Sequence, residues 1–282
     1  MSARIIPDDE DYYAGGTTPA LSQSIANTLL MKSPLHAWLN HPLLGAQPRA
    51  PTKAMDEGQL VHTLLLGKGA AVEIVNADNF RTKAAQEVRD NAIAAGMLPV
   101  LRRVYDEAAT AVETLRANIA AFGISIDTNM AEIAIEWEEP GEFGPVLCRG
   151  KMDHVDLDRG VIIDVKKAEN AHPNRVGRLM TEYGMDVQAC AYQRALSALR
   201  PEHEGRTSML FVFCELSAPY AVTPAQADGA MRTRGEHRWL RAVRTWERCL
   251  REDKWPAYTS TIVSASPPPW SMSDEILEGL NE

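Results

Sequence analysis

The spacing of apolar and polar positions divides the chain into a helical first half and a mixed second half. Ser22 or Ser24 can cap a helix in which Ile25 and Leu29 share one face; Ser33-Pro34 ends it and starts a short helix over 35–40. A further helix is predicted over 55–66, then two amphipathic helices over 79–96 and 99–121, divided at Gly96 and Pro99. The period then changes. Residues 131–137 (AEIAIEW) alternate, with Ile133, Ile135 and Trp137 on one face and Glu132, Ala134 and Glu136 on the other. A hairpin follows over 149–166: one strand over 151–157, turn chemistry at Asp158-Arg159-Gly160, and a second, apolar strand from Val161. A helix over 181–199, a buried strand over 208–216 (SMLFVFCEL) and a long helix over 225–251 complete the order. This order predicts an α/β fold, a mixed central sheet flanked by helices beside an N-terminal helical lobe. The expected organisation is a flexible arm (1–20), a single domain (21–262, with the lobe at 21–125 and the sheet core at 126–262) and a C-terminal tail (263–282).

Composition narrows this only a little. With 282 residues, 45% hydrophobic and 24% charged, the chain is ordinary globular material. No apolar run approaches the ~20 residues that span a bilayer, so no membrane is expected. The first residues (MSARIIPDDEDYYAGG) carry acid where a signal peptide needs an apolar run. Cys148, Cys190, Cys214 and Cys249 are scattered without zinc spacing and read as the reduced thiols of a cytoplasmic protein. A net charge of −9 argues against broad nucleic-acid affinity but leaves room for a local basic channel.

The chemistry gathers on the hairpin. With a two-residue loop at Arg159-Gly160, Asp153 lies opposite Lys166 and Val155 opposite Asp164, so Asp153, Asp164 and Lys166 share a face. An ion-paired solvent face would also account for them. The apolar second strand favours burial instead, and buried carboxylates need a cation or a hydrogen-bond network. Paired oxygen ligands suit magnesium or manganese, and a neighbouring lysine can orient a water or offset charge developing on phosphorus. His62, four residues after Gly58, is either a core histidine or a ligand brought to those oxygens. Glu132 either faces water or approaches the same site. Gln188 and Tyr192, one helical turn apart, could position a nucleic-acid backbone, hold the lysine, or serve as core polar groups. Arg241, Arg244, Arg248 and Arg251 form a stripe that is either a solvated face or a DNA-backbone track. Pro267-Pro268-Pro269-Trp270 and the acidic amphipathic stretch 274–280 read as a linker and a short helix for a partner or a neighbouring subunit.

Taken in order, Gly58-x-x-x-His62, the acidic strand Glu132–Trp137, Cys148-Arg149-Gly150-Lys151-Met152-Asp153, Asp164-Val165-Lys166, Val187-Gln188-Ala189 with Tyr192, and Asp253–Ala257 resemble the PD-(D/E)xK nuclease superfamily. The resemblance is to its RecB-like branch, closest to the exodeoxyribonuclease VIII (RecE-type) recombination exonucleases of phages and prophages, and spans about residues 20–270. It implies Asp153 and Asp164 as metal-binding carboxylates, with the Val165 carbonyl and His62 as further ligands and Lys166 beside the attacking water. Glu132 would be a catalytic or supporting acid, and Gln188, Tyr192 and Arg149 would support the site and the DNA. Such enzymes are magnesium-dependent, with manganese as a substitute, and resect linear double-stranded DNA from its 5′ end. Many form homo-oligomeric rings and feed a single-strand annealing protein. Met152 replaces the motif's proline and Asp164 its usual glutamate, changes that activity is expected to survive. Ser33 stands where the iron–sulfur relatives have cysteine, and no terminal cysteine cluster follows, so no iron–sulfur cluster is expected. Competing functions are a non-catalytic DNA-end-binding module of a recombination complex and a related endonuclease or single-strand nuclease.

Overall fold

The computed structural model describes residues 2–7, 16–46 and 53–268, and side chains again from residue 58. In chain order the elements begin with β1 (Ala3–Ile6), α1 (Gln23–Met31), α2 (Pro34–Asn40), α3 (Lys53–Leu66), β2 (Val72–Val75), α4 (Lys83–Ala94), β3 (Leu98–Leu101) and α5 (Arg102–Ala120). They continue with β4 (Ala131–Pro140), β5 (Pro145–Asp156), β6 (Val161–Lys167), α6 (Pro173–Glu182), α7 (Met185–Leu199), β7 (Ser208–Cys214), β8 (Val222–Ala225) and α8 (Gly229–Glu252). Six strands form one sheet in the order β1-β4-β5-β6-β7-β8, antiparallel throughout except for the parallel β6–β7 pair. The mixed, helix-flanked sheet is the expected fold class.

Alternation along the strands serves two helical layers. Phe211 and Phe213 of β7 pack with α1, α7 and α8, while Val212 and Cys214 pack with α3 and α5. α5 faces the sheet with Ala108, Ala111, Val112, Leu115 and Ile119, an i, i+3, i+4, i+7, i+11 stripe. Ser22 caps α1 through its hydroxyl, which accepts the Ile25 amide at 3.3 Å, and Pro34 opens α2 behind Ser33.

The structure corrects several expectations. Residues 3–6, placed in a flexible arm, form edge strand β1 against β4, and Arg4 reaches Glu136 at 2.7 Å. Residues 98–101 form β3, which pairs in parallel with β2, although 99–101 were expected to open a helix; four-residue strands are too short for their alternation to register. The expected helix over 181–199 is two helices. Gly184 lies between them at φ +65°, a left-handed turn that suits glycine. The β5–β6 loop holds four residues rather than two, because Asp156 pairs with Val161 and His154 with Ile163. That shift of two leaves each side chain on its expected face. Pro269-Trp270 and the 274–280 stretch lie outside the described residues.

Three buried acids tie the layers together. Glu139 accepts hydrogen bonds from the indoles of Trp137 (3.0 Å) and Trp239 (3.2 Å), and both its oxygens meet Arg194 of α7. Asp186 meets Arg234 and Arg238 at 2.6 and 2.7 Å, where α8 runs so close to α7 that a Cβ on Gly235 would collide with the Asp186 carbonyl. Glu247 of α8 accepts the amides of Glu142 and Phe143, holding the β4–β5 turn. Arg241, Arg244, Arg248 and Arg251 lie exposed on the outer side of α8.

Candidate metal centre and catalytic site

β4, β5 and β6 deliver the acids, α3 the imidazole and α7 the amide and the phenol. The register of β4 on β5 runs through Ala131↔His154 and Ile133↔Met152, which sets Glu132 across from Asp153. Glu132 adopts φ +57°, a left-handed backbone for a residue with a side chain. Such strain costs about 1–3 kcal/mol, persists only where surrounding contacts enforce it, and clusters at functional sites. Here the contacts are the Lys151 ammonium, which grips one Glu132 oxygen, and His62 Nδ1, 3.5 Å from the other. His62 Nε2 lies 3.1 Å from Asp153 Oδ2. Among the described residues, His62, Glu132 and Asp153 form a set whose ligand atoms all lie within 4.8 Å of one another. One nitrogen and two carboxylate donors at that spacing fit a hard divalent cation.

Asp164 stands just outside that triad. It is 1% exposed, its Oδ1 lies 2.5 Å from Lys166 Nζ, and its Oδ2 accepts Gln188 Nε2 at 2.5 Å. Asp153 joins the two halves of the site, because it also accepts the Val165 amide at 2.8 Å where backbone pairing between β5 and β6 has stopped. The Tyr192 hydroxyl donates to the Lys151 carbonyl at 2.9 Å, and its ring packs on Gly150, where an added Cβ would come within 2.7 Å of it.

Electrostatics follow from this packing. Burial and the adjacent Asp153 charge push the Asp164 carboxyl up to about 6, against the pull of Lys166 and Gln188. Burial would also raise Asp153, yet the His62 hydrogen bond, the charges of His62 and Lys166, and the Val165 amide hold it below the ordinary aspartate value. Burial opposes the charged form of His62 and of Lys166. The neighbouring carboxylates outweigh it, so both are held above their usual values. Lys166 is therefore an ammonium, able to stabilise negative charge rather than to accept a proton.

The sequence-derived residues thus divide into groups. His62, Glu132 and Asp153 come together; Asp164, Lys166 and Gln188 form an adjoining relay; Val165 contributes its amide to Asp153; Tyr192 braces β5. Arg149 is engaged elsewhere, buried with its guanidinium 2.6 Å from Glu136. Sequence reasoning missed Lys151 as the partner of Glu132. Its signal was parity, since it precedes Asp153 by two on the same strand.

A family model described as a PDDEXK-like domain of unknown function (DUF3799) matches residues 29–264. Among solved structures, a candidate exonuclease from Eubacterium rectale superposes with a TM-score of 0.63 at 13% identity, covering 95% of this chain and 97% of that one. A phage-related exonuclease from Haemophilus somnus 129PT gives a TM-score of 0.33 at 14% identity, over 83% of this chain and 97% of that one. No curated protein matches the sequence.

Proposed function

Given that the chain belongs to this PDDEXK-like family, we propose that it is a magnesium-dependent exonuclease that degrades linear double-stranded DNA from 5′ to 3′ in phage-type recombination. The observation that carries the hydrolytic reading is the junction at Asp153. It joins a three-donor cation site (His62, Glu132, Asp153) to a buried carboxylate–ammonium pair (Asp164, Lys166). The polarity, the recombination setting, a homo-oligomeric ring and an annealing partner are supported by the motif resemblance alone.

The residues divide the work. His62, Glu132 and Asp153 would hold the cation, and Asp164, just outside that set, would be the further carboxylate ligand that the motif resemblance implies. When bound, magnesium or manganese supplies Lewis acidity at the scissile phosphate. Lys166 keeps its proton and lends positive charge to the oxygens that become more negative as phosphorus is attacked. Asp164 fixes the ammonium, and Gln188 fixes Asp164, so the cation-bearing side chain is held before substrate arrives. Tyr192 holds the Lys151 carbonyl and with it the strand that carries Asp153.

Linear duplex DNA labelled at either end, with and without magnesium, tests this reading. Wild type should lose the 5′ label first, only with magnesium, and leave closed circles intact. Lys166→Ala should lower the rate at least a hundredfold while its circular dichroism stays native. Unaltered cleavage by Lys166→Ala would sink the mechanism, and DNA bound without degradation by wild type would point to an end-binding module instead.

A further inference from the structure

Lys151 sits among the candidate ligands without being one. It lies two residues before Asp153 on β5, so alternation puts both side chains on one face. Its ammonium meets Glu132 Oε2, while Glu132 Oε1 is the oxygen that faces His62 Nδ1 at 3.5 Å. The contact is sheltered: the Lys151 and Glu132 side chains keep 14% and 9% of their exposure. Backbone fixes both ends of it. Lys151 pairs with Ala134 across the β4–β5 ladder, and its carbonyl accepts the Tyr192 hydroxyl. Glu132 is turned to meet it by the left-handed backbone between the paired residues Ala131 and Ile133. An exposed surface pair would not offset that strain.

A carboxylate can ligate a cation through one oxygen or through both. With Oε2 held by the ammonium, Glu132 presents Oε1 alone to the space it shares with His62 and Asp153. Protein donors hold the neighbouring acids too: Asp164 has Lys166 on Oδ1 and Gln188 on Oδ2, and Asp153 takes the Val165 amide on Oδ2. Magnesium demands near-octahedral geometry at short distances and keeps several waters. Calcium takes about six to eight oxygens and accepts two from one carboxylate. A Glu132 confined to one oxygen suits the first ion and withholds a ligand from the second.

We propose that Lys151 is a positioning residue that restricts Glu132 to single-oxygen ligation and so sets the site's preference for magnesium over calcium. The proposal rests on the nuclease reading, through its cation site, and adds the residue that selects the ion. The test uses the full chain, wild type against Lys151→Met and Lys151→Arg, in calorimetric titrations with magnesium and with calcium and no DNA present. Loss of one positive charge acts on both divalent ions alike, so the ratio of the two affinities isolates geometry. In Lys151→Met the ratio should move toward calcium by about tenfold, the low end for losing a group that orients a ligand. Lys151→Arg, which keeps a donor on the same oxygen, should hold the wild-type ratio. A purely structural role would lower thermal stability and leave the ratio where it is. An unmoved ratio in a natively folded Lys151→Met would therefore overturn the proposal, as would an equal shift in Lys151→Arg. Should Lys151→Met fail to fold, infrared difference spectra of wild type with isotope-labelled glutamate carboxyl groups decide. Magnesium should give the widely split stretches of a carboxylate bound through one oxygen; the narrow splitting of one bound through both would overturn the assignment. Failure of the nuclease reading looks different: a wild type that binds magnesium yet cleaves no DNA. A wild type that binds neither ion removes the cation site, and the part of Lys151 with it.

Discussion

His62 is a donor of the candidate cation site and Asp164 stands just outside it, and both hold protons at pH values where their isolated counterparts would not. Asp164 titrates near 6 and His62 above its usual value. Neither ligates a cation while protonated, so loading must expel those protons. The sign follows directly. Magnesium affinity should rise with pH through about 6, where Asp164 gives up its proton, and go on rising above 6.5 as His62 gives up its own, gaining up to tenfold per unit for each proton released. Calorimetric titration at pH 5.5 and 7.5, in buffers of unlike ionisation enthalpy, measures both the affinity and the protons. A pH-independent affinity with no proton release would remove these groups from the site. Much of this was legible in the residues: Asp153, Asp164 and Lys166 share a face by strand parity alone. The relation between Glu132 and Lys151 was legible only in part: parity puts Lys151 on the face of Asp153, but the φ +57° backbone of Glu132 is invisible to an alternation rule that assumes extended geometry throughout.

At the scale of elements, what the sequence showed and what it hid have physical causes. The hairpin was found with its loop two residues too short, and parity survived because two is the period of a strand. Helices α1, α2 and α5 were legible from their caps and stripes. The α6–α7 break was not, since nothing in side-chain polarity distinguishes Gly184 from a glycine tolerated inside a helix. Nor was the role of Gly235. Between Arg234 and Arg238 it looks like a weak point in a charged helix, whereas it is where α8 touches the Asp186 carbonyl. Gly235→Ala improves helix propensity in isolation yet should destabilise the protein by about 1–3 kcal/mol, the cost of overpacking a close contact. Urea denaturation measures the balance; a more stable variant would show that α7 and α8 part freely.

For the molecule as a whole, the sheet is a partition whose two helical layers do different work. The layer of α3 and α5 brings His62 to the acids. The opposite layer of α1, α7 and α8 is fastened by buried charge, with Glu139 touching the sheet, α7 and α8 at once. Polarity patterning assigns such an acid to solvent, so this fastening could be read only from coordinates. Glu139→Ala should cost about 3 kcal/mol, the low end for a broken buried pair because the Arg194 side chain keeps 26% of its exposure. Thermal unfolding checks the loss. Gln188, which steadies Asp164, rides on α7, so the same variant should slow catalysis without touching a reacting group. Among the described residues no helix is long and apolar enough to cross a membrane.

The Glu139 cluster also equips the protein with an optical reporter. Trp137 and Trp239 stack with ring centroids 6.1 Å apart, on opposite sides of the seam between sheet and helix, and point their indole N–H groups at one carboxylate. Their emission colour depends on that shared charge and on the absence of water around it. Any ligand that loosens the helical backing from the sheet would shift the intrinsic fluorescence to the red, without a dye or a label.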